Sequence, residues 1–228
     1  MGTPKDSEIT KAAIIEAAGR LFAEKSFKSV SVREIISEAD THLSAMNYHF
    51  GSKDSLYLEV LKVACEVIST KDAEKEYFYS LDPETALFEI AKYTIESYFN
   101  HDKENWHFVI ITREYWEPSN GYNFVVENYF KPENELLTNI IGKIVNKSPE
   151  LNSIRFASIS LIGLLETFGF YEKLINSVCD GLQDQGKRDN WYIKRIVKMV
   201  IDAARMPDIK SEDNLNIANK ANNQEAML

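Results

Sequence analysis

Apolar residues along this chain recur at helical spacing, in blocks parted by short polar or proline-marked breaks. In the first block Ile14, Ala17, Ala18, Leu21 and Phe22 fall at i, i+3, i+4, i+7 and i+8, one continuous stripe on a helix. Thr3 followed by Pro4 supplies an N-cap and a proline at the first helical position. The next block is short. Val32, Ile35, Ile36 and Ala39 make one apolar face. Ser31 and Glu34 open it as an S-x-x-E capping box, which satisfies free backbone N–H groups at a helix start. The face stops at Asp40, a residue type tolerated in turns and in the left-handed region. After Asp40-Thr41-His42 a third helix begins, with Met46 and Phe50 turned inward. Gly51 fits the position just past a helix end, and Ser52 caps the next helix, with Asp54 in its first turn. Two short helices parted by a three- or four-residue turn have the layout of a DNA-binding helix-turn-helix.

The remaining blocks are also helical. Ser52 to about Lys75 reads as one helix carrying Leu56, Leu61, Ala64 and Ile68. Leu81-Asp82-Pro83 marks a break and a capped new start. Pro83 to Asn100 places Leu87, Ile90, Ala91, Thr94 and Tyr98 on one side. Asn105 to Trp116 is aromatic-rich and stops before Pro118. Gly121 to Lys147 is helical with a kink or break at Pro132, which lacks an N–H. Pro149 starts a helix running to about Val178. A loop with Gly181 and Gly186 follows, then a last helix from about Asn190 to Arg205. The polar tail to Leu228 has no packed face and reads as disordered. No strand-like alternation persists, so the expected fold class is all-α.

The N-terminal segment resembles the TetR family of transcriptional regulators. The resemblance runs from about Ile9 to Leu61: a first helix ending in LFAEKSF, then VSVREI, then the MNYHFGSKDSLY run. The NYHFGSK form, with the later REYWEPS and YFKPENELL stretches, is similar to the CecR-like subgroup. This chain has Asp40 where the family often has Gly, and His42 where it often has Ser or Thr. The resemblance implies a three-helix DNA-binding domain at 1–52, a helical ligand-binding and dimerisation domain at 53–205, and a tail at 206–228. It also implies a homodimer, and a repressor released from a pseudo-palindromic operator by a small-molecule effector.

Composition narrows the alternatives. Of 228 residues, 44% are hydrophobic, enough for a sizeable core. No apolar run is long enough to span a bilayer; the best, Phe156 to Leu165, is short and interrupted by serines. No signal-peptide core is present at the N-terminus, and a cytoplasmic location with no membrane partner is expected. Cys65 and Cys179 form neither a disulfide framework nor a metal spacing. Neither a metal nor a cofactor is expected. There is no G-x-S-x-G elbow and no phosphate-cradling glycine loop, so the chain is not expected to be an enzyme. Residues 1–56 carry seven Lys/Arg against eight Asp/Glu, a net charge of −1 within the total of −9. The acidic surplus therefore lies away from the expected DNA domain. That domain still lacks the broad basic footprint that drives nonspecific phosphate binding. This keeps open an alternative, a helical protein-interaction module without DNA binding.

Candidate residues follow from these placements. For double-stranded DNA they are Ser31, Arg33, His42, Ser44, Asn47, Tyr48 and Lys53. Residues at the start of a recognition helix approach base edges. Asn pairs bidentately with adenine, and Ser contacts several bases. Tyr48, Lys53 and Ser31 suit phosphate contacts, which position without reading. The family uses the positions of Tyr48 and Lys53 in that way. For the effector, the aromatic middle of the chain with its interspersed polar groups suggests Tyr98, Trp106, Arg113, Trp116, Asn128 and Glu166. For the homodimer, Phe156 to Tyr171 is apolar nearly all round, with small residues at Ala157, Ser160 and Gly163. Trp191, Ile196, Met199 and Val200 are expected to make the companion face.

Overall fold

The computed structural model describes residues 4–99, 106–179 and 190–208. Thr3, the loop at 180–189 and the tail beyond Asp208 lie outside the described residues, as does the side chain of Tyr98. Every regular element among the described residues is helical, and residues of two compact units alternate along the chain. Unit 1 comprises Met1–Lys75 and Asn100–Asn134; unit 2 comprises Glu76–Phe99 and Glu135–Leu228.

In unit 1, α1 (Pro4–Lys25), α2 (Val32–Glu38) and α3 (Leu43–Phe50) pack on one another. They are joined by α4 (Lys53–Ile68), α7 (Trp106–Trp116), α8 (Tyr122–Val125) and the first turn of α9 (Lys131–Val145). The α1 stripe is buried as its spacing predicts, with Ile14, Ala17, Ala18, Leu21 and Phe22 all in the core. Phe22, Phe27 and Tyr57 stack around the centre, Phe22 meeting Tyr57 edge-on at 5.0 Å. Helix α2 begins with the full capping box: the Glu34 N–H donates to Ser31 Oγ, and the Ser31 N–H donates to Glu34 Oε2 at 2.8 Å.

Two breaks differ from the pattern read along the chain. The helix expected from Ser52 to Lys75 is two helices. Glu133 accepts from both the N–H and the hydroxyl of Thr70, and Glu74 accepts from the Lys71 N–H. These bonds satisfy the backbone where α4 ends and α5 (Asp72–Ser80) begins. Just before Pro132 the helix widens into a π-helical turn over Val126–Phe130, with the Lys131 N–H donating to Val126, five residues back. Pro132 has no N–H to give the Asn128 carbonyl.

In unit 2, α10 (Asn152–Phe170) packs on α6 (Pro83–Phe99), α11 (Glu172–Val178) and α12 (Trp191–Arg205). The run expected to continue to Val178 breaks at Tyr171. Helix α12 buries Tyr192, Ile193, Ile196, Val197, Val200, Ile201 and Ala204 on one face. Tyr192 stacks on Phe168 of α10 at 5.1 Å. The two chain ends of this pair are capped by side chains. Lys147 Nζ donates to the carbonyls of Ala204, Arg205 and Met206, a cation on free carbonyls at a helix C-terminus. Asp208 accepts from the Ser153 N–H at 2.6 Å, at the start of α10.

Candidate nucleic-acid interface

The turn between α2 and α3 is built by local chemistry. Asp40 adopts φ 45°, the left-handed conformation its residue type tolerates without glycine. Thr41 N–H then donates to the Ile36 carbonyl and closes the end of α2. Helix α3 starts at His42, an N-cap in extended conformation whose side chain makes no capping bond. Its first turn keeps its N–H groups free of any side-chain cap. Helix α3 ends at Gly51, whose φ of 73° explains the glycine. Ser52 then caps α4 through the Ser55 N–H.

Burial divides α3 in two. Met46 and Phe50 are buried in the core of unit 1. His42, Ser44, Asn47 and Tyr48 are exposed, with Tyr48 at 80%. These four side chains therefore belong to one solvent-facing side of the second helix of a helix-turn-helix. Arg33 on α2 is exposed as well. Ser31 and Lys53 are more committed. Ser31 Oγ donates to Glu34 Oε2 and accepts from the Glu34 N–H. Lys53 Nζ donates to the Val30 carbonyl at 2.7 Å and lies 4.4 Å over the Phe27 ring. An ammonium carries three donors, so two N–H bonds of Lys53 stay available. Glu34 itself sits at about pKa 2, pulled down first by the Ser31 backbone N–H, then by the Ser31 hydroxyl and Lys25.

The six expected effector residues divide between the two units. Trp106, Arg113, Trp116 and Asn128 belong to unit 1, and Tyr98 and Glu166 to unit 2. Trp106 and Arg113 bind α7 to α1 instead. The Trp106 ring lies flat on Gly19, where any Cβ would stand 2.5 Å from it, and its Nε1 donates to Glu16 at 3.0 Å. Arg113 Nη2 donates to the Ala23 carbonyl at 2.8 Å, in the last turn of α1. Trp116 is exposed against Tyr115, and Asn128 is exposed and donates to the Phe124 carbonyl. Glu166 is half-buried, which raises its carboxyl pKa. Two clefts in unit 2, one along α6 and α12 and one at the end of α9, are lined by none of these six residues.

Sequence reasoning missed the tie between α7 and α4. Tyr57 OH donates to Glu114 Oε1 at 2.5 Å, with Glu114 only 1% exposed, and Glu114 Oε2 accepts from the Ser119 N–H. Burial, then the Glu114 carboxylate, pushes the Tyr57 phenol well above its usual range. Asn120 donates to Asp54 at 3.3 Å, and Gly121 closes on Leu61. Tyr57 and Glu114 are 57 positions apart, so no local spacing signals their pairing.

The expected companion face for a dimer also changes. Ile196 and Val200 are buried inside unit 2, and only Met199 of that set is exposed. The free side of α12 is charged, with Lys194, Arg195, Lys198 and Asp202. Exposed apolar surface lies on α10 at Phe156 (68%) and Ile159 (61%), followed at helical spacing by Gly163, which has open space around it.

Two family profiles match the chain. The profile of bacterial regulatory proteins of the tetR family matches residues 14–60. That of the C-terminal domain of the HTH-type transcriptional dual regulator CecR matches residues 83–205. The HTH-type transcriptional regulator AcrR of Shigella flexneri is 28% identical over 95 residues, 42% of this chain and 44% of its own. The chain thus spans less than half the length of the curated relatives it matches. The structure of SCO4454, a TetR-family transcriptional regulator from Streptomyces coelicolor, is similar with a TM-score of 0.63 at 16% identity, covering 87% of this chain and 97% of that one. AibR in complex with isovaleryl coenzyme A and operator DNA gives 0.58 at 13%, covering 84% and 96%. At these identities the likeness is one of fold.

Proposed function

The chain belongs to the TetR family of bacterial regulatory proteins and carries a CecR-type C-terminal domain, and from that premise we propose that it binds operator DNA as a homodimer and represses transcription until a small molecule releases it. Its family is one of non-enzymatic DNA-binding regulators. The observation that carries the proposal is the exposed side of α3. His42, Ser44, Asn47 and Tyr48 face solvent opposite a buried Met46–Phe50 edge, at a helix start that no side chain caps. Asn47 reads a base, and Tyr48, Arg33 and Lys53 hold phosphates. Residues 1–52 are the reading domain, 53–205 hold effector and partner, and the protein works in the cytoplasm.

The homodimer pairs α10 with its twin. Phe156 and Ile159 present apolar surface to water in the single chain, and a two-fold partner covers it. Two reading helices roughly 34–36 Å apart then address a pseudo-palindrome. Release by an effector is supported by the direct hold of α7 on α1 and α4. A ligand that shifts α7 moves the two helices that carry the reading pair. AibR, of the same fold, has been seen with both isovaleryl coenzyme A and operator DNA.

The test is selection from a pool of random duplexes, followed by titration of the selected site with Asn47→Ala and Tyr48→Ala. Selected sites are expected to be two-fold symmetric. Asn47→Ala is expected to change the preferred base, and Tyr48→Ala to weaken all sequences alike. Absence of any enriched sequence overturns the proposal and favours a protein-interaction module.

A further inference from the structure

Leu43 is the first residue of α3 and is 51% exposed. A singly exposed leucine needs no explanation on most surfaces. This one has a particular setting. It stands one turn before Asn47, on the same side of the helix, between His42 and Ser44, both exposed. It continues the row of Met46 and Phe50 one turn earlier, but where those two are buried it leaves half of its surface to solvent beside Asn47. Reading helices approach base edges with their N-terminal residues. In the major groove thymine alone among the four bases offers an apolar group, its C5-methyl, and apolar side chains read it by contact.

We propose that Leu43 is a specificity-determining residue that packs on a thymine methyl in the major groove; this rests on the DNA-binding reading above. The spacing adds a register. Residues 43 and 47 are about 6 Å apart along the helix axis, and base steps are about 3.4 Å. The thymine therefore lies one or two steps from the base that Asn47 pairs. The polar neighbours supply hydrogen bonds, and Leu43 supplies the one contact that rejects cytosine, which lacks the methyl.

The experiment uses the full chain and the duplex selected from the random pool. Each thymine of the half-site is replaced in turn by deoxyuridine, which removes only the methyl. Wild type and Leu43→Ala are titrated on every duplex. One replacement is expected to weaken the wild type about fourfold, the worth of one buried methyl, and to leave Leu43→Ala unchanged. Thermal unfolding checks that Leu43→Ala is folded at the temperature of the titrations. Selection of a site at which no replacement distinguishes the two proteins overturns this assignment and leaves DNA binding standing. Failure to select any site overturns both.

Discussion

The α7 contacts in unit 1 and the α10–α12 pair in unit 2 are fastened by different chemistry. Helix α7 is tied to α1 and α4 by directional bonds from buried groups: Trp106 to Glu16, Arg113 to the Ala23 carbonyl, and Tyr57 to Glu114. Helices α10 and α12 meet through aliphatic and aromatic surface, and Lys147 and Asp208 add polar bonds at the ends. Apolar contact is strong but tolerant of small shifts, because it has no preferred direction. A buried hydrogen bond has a narrow geometry and is costly to leave unmade. The first kind of joint fixes the orientation of a reading head. The second kind makes a stable block with one apolar edge left over.

Five substitutions break or sharpen this contrast. The largest effect is expected from Trp106→Ala, which empties the space against Gly19 and removes the indole donor from Glu16 Oε2. It should cost about 3–5 kcal/mol in denaturant unfolding. Next is Glu114→Ala, which takes the acceptor from the buried Tyr57 hydroxyl and from the half-buried Ser119 N–H. A loss of about 1–3 kcal/mol is expected. Equal stability to the wild type would mean that the joint is apolar after all. The same joint predicts an alkaline limit. The folded Tyr57 pKa is raised, so its contribution is complete below the ordinary value of 10 and declines as pH rises above it. Tyr57→Phe should remove that alkaline decline, measured by unfolding between pH 9 and about pH 11.

Ser31→Ala tests the local end of the scale. Loss of an N-cap costs about 1 kcal/mol. The Glu34 carboxyl is depressed from 4.5 to about 2, so the capping box contributes above pH 4.5 and is lost as pH falls towards 2. The gap between wild type and Ser31→Ala should therefore narrow across that window. The smallest effect on stability belongs to Gly163→Arg in unit 2, where a new side chain meets open space. Unfolding should shift by no more than about 0.5 kcal/mol beyond the stability that dimerisation itself adds. Light scattering at micromolar concentration should nonetheless show a dimer in the wild type and a monomer in the variant. A wild-type monomer would mean that the α10 edge is not covered by a second copy.

The amino-acid sequence by itself determined the helix starts and stops that local caps set, because those signals act within one turn. Ser31 with Glu34, Ser52, Asp82, Asp40 and Gly51 all hold the positions their chemistry predicts. The α1 stripe and the Met46–Phe50 edge were legible for the same reason, since periodicity reports one buried face directly. The break at Thr70 was not legible, because Glu133, 63 residues on, makes it. The aromatic middle of the chain was legible as apolar, but its use was not. Trp106 and Arg113 bond to α1, 90 residues before them. Tertiary structure alone decided which face of α10 stays bare and which face of α12 is spent inside unit 2. Pairing across such distances depends on which surfaces the folded chain brings together, and residue spacing carries no record of that.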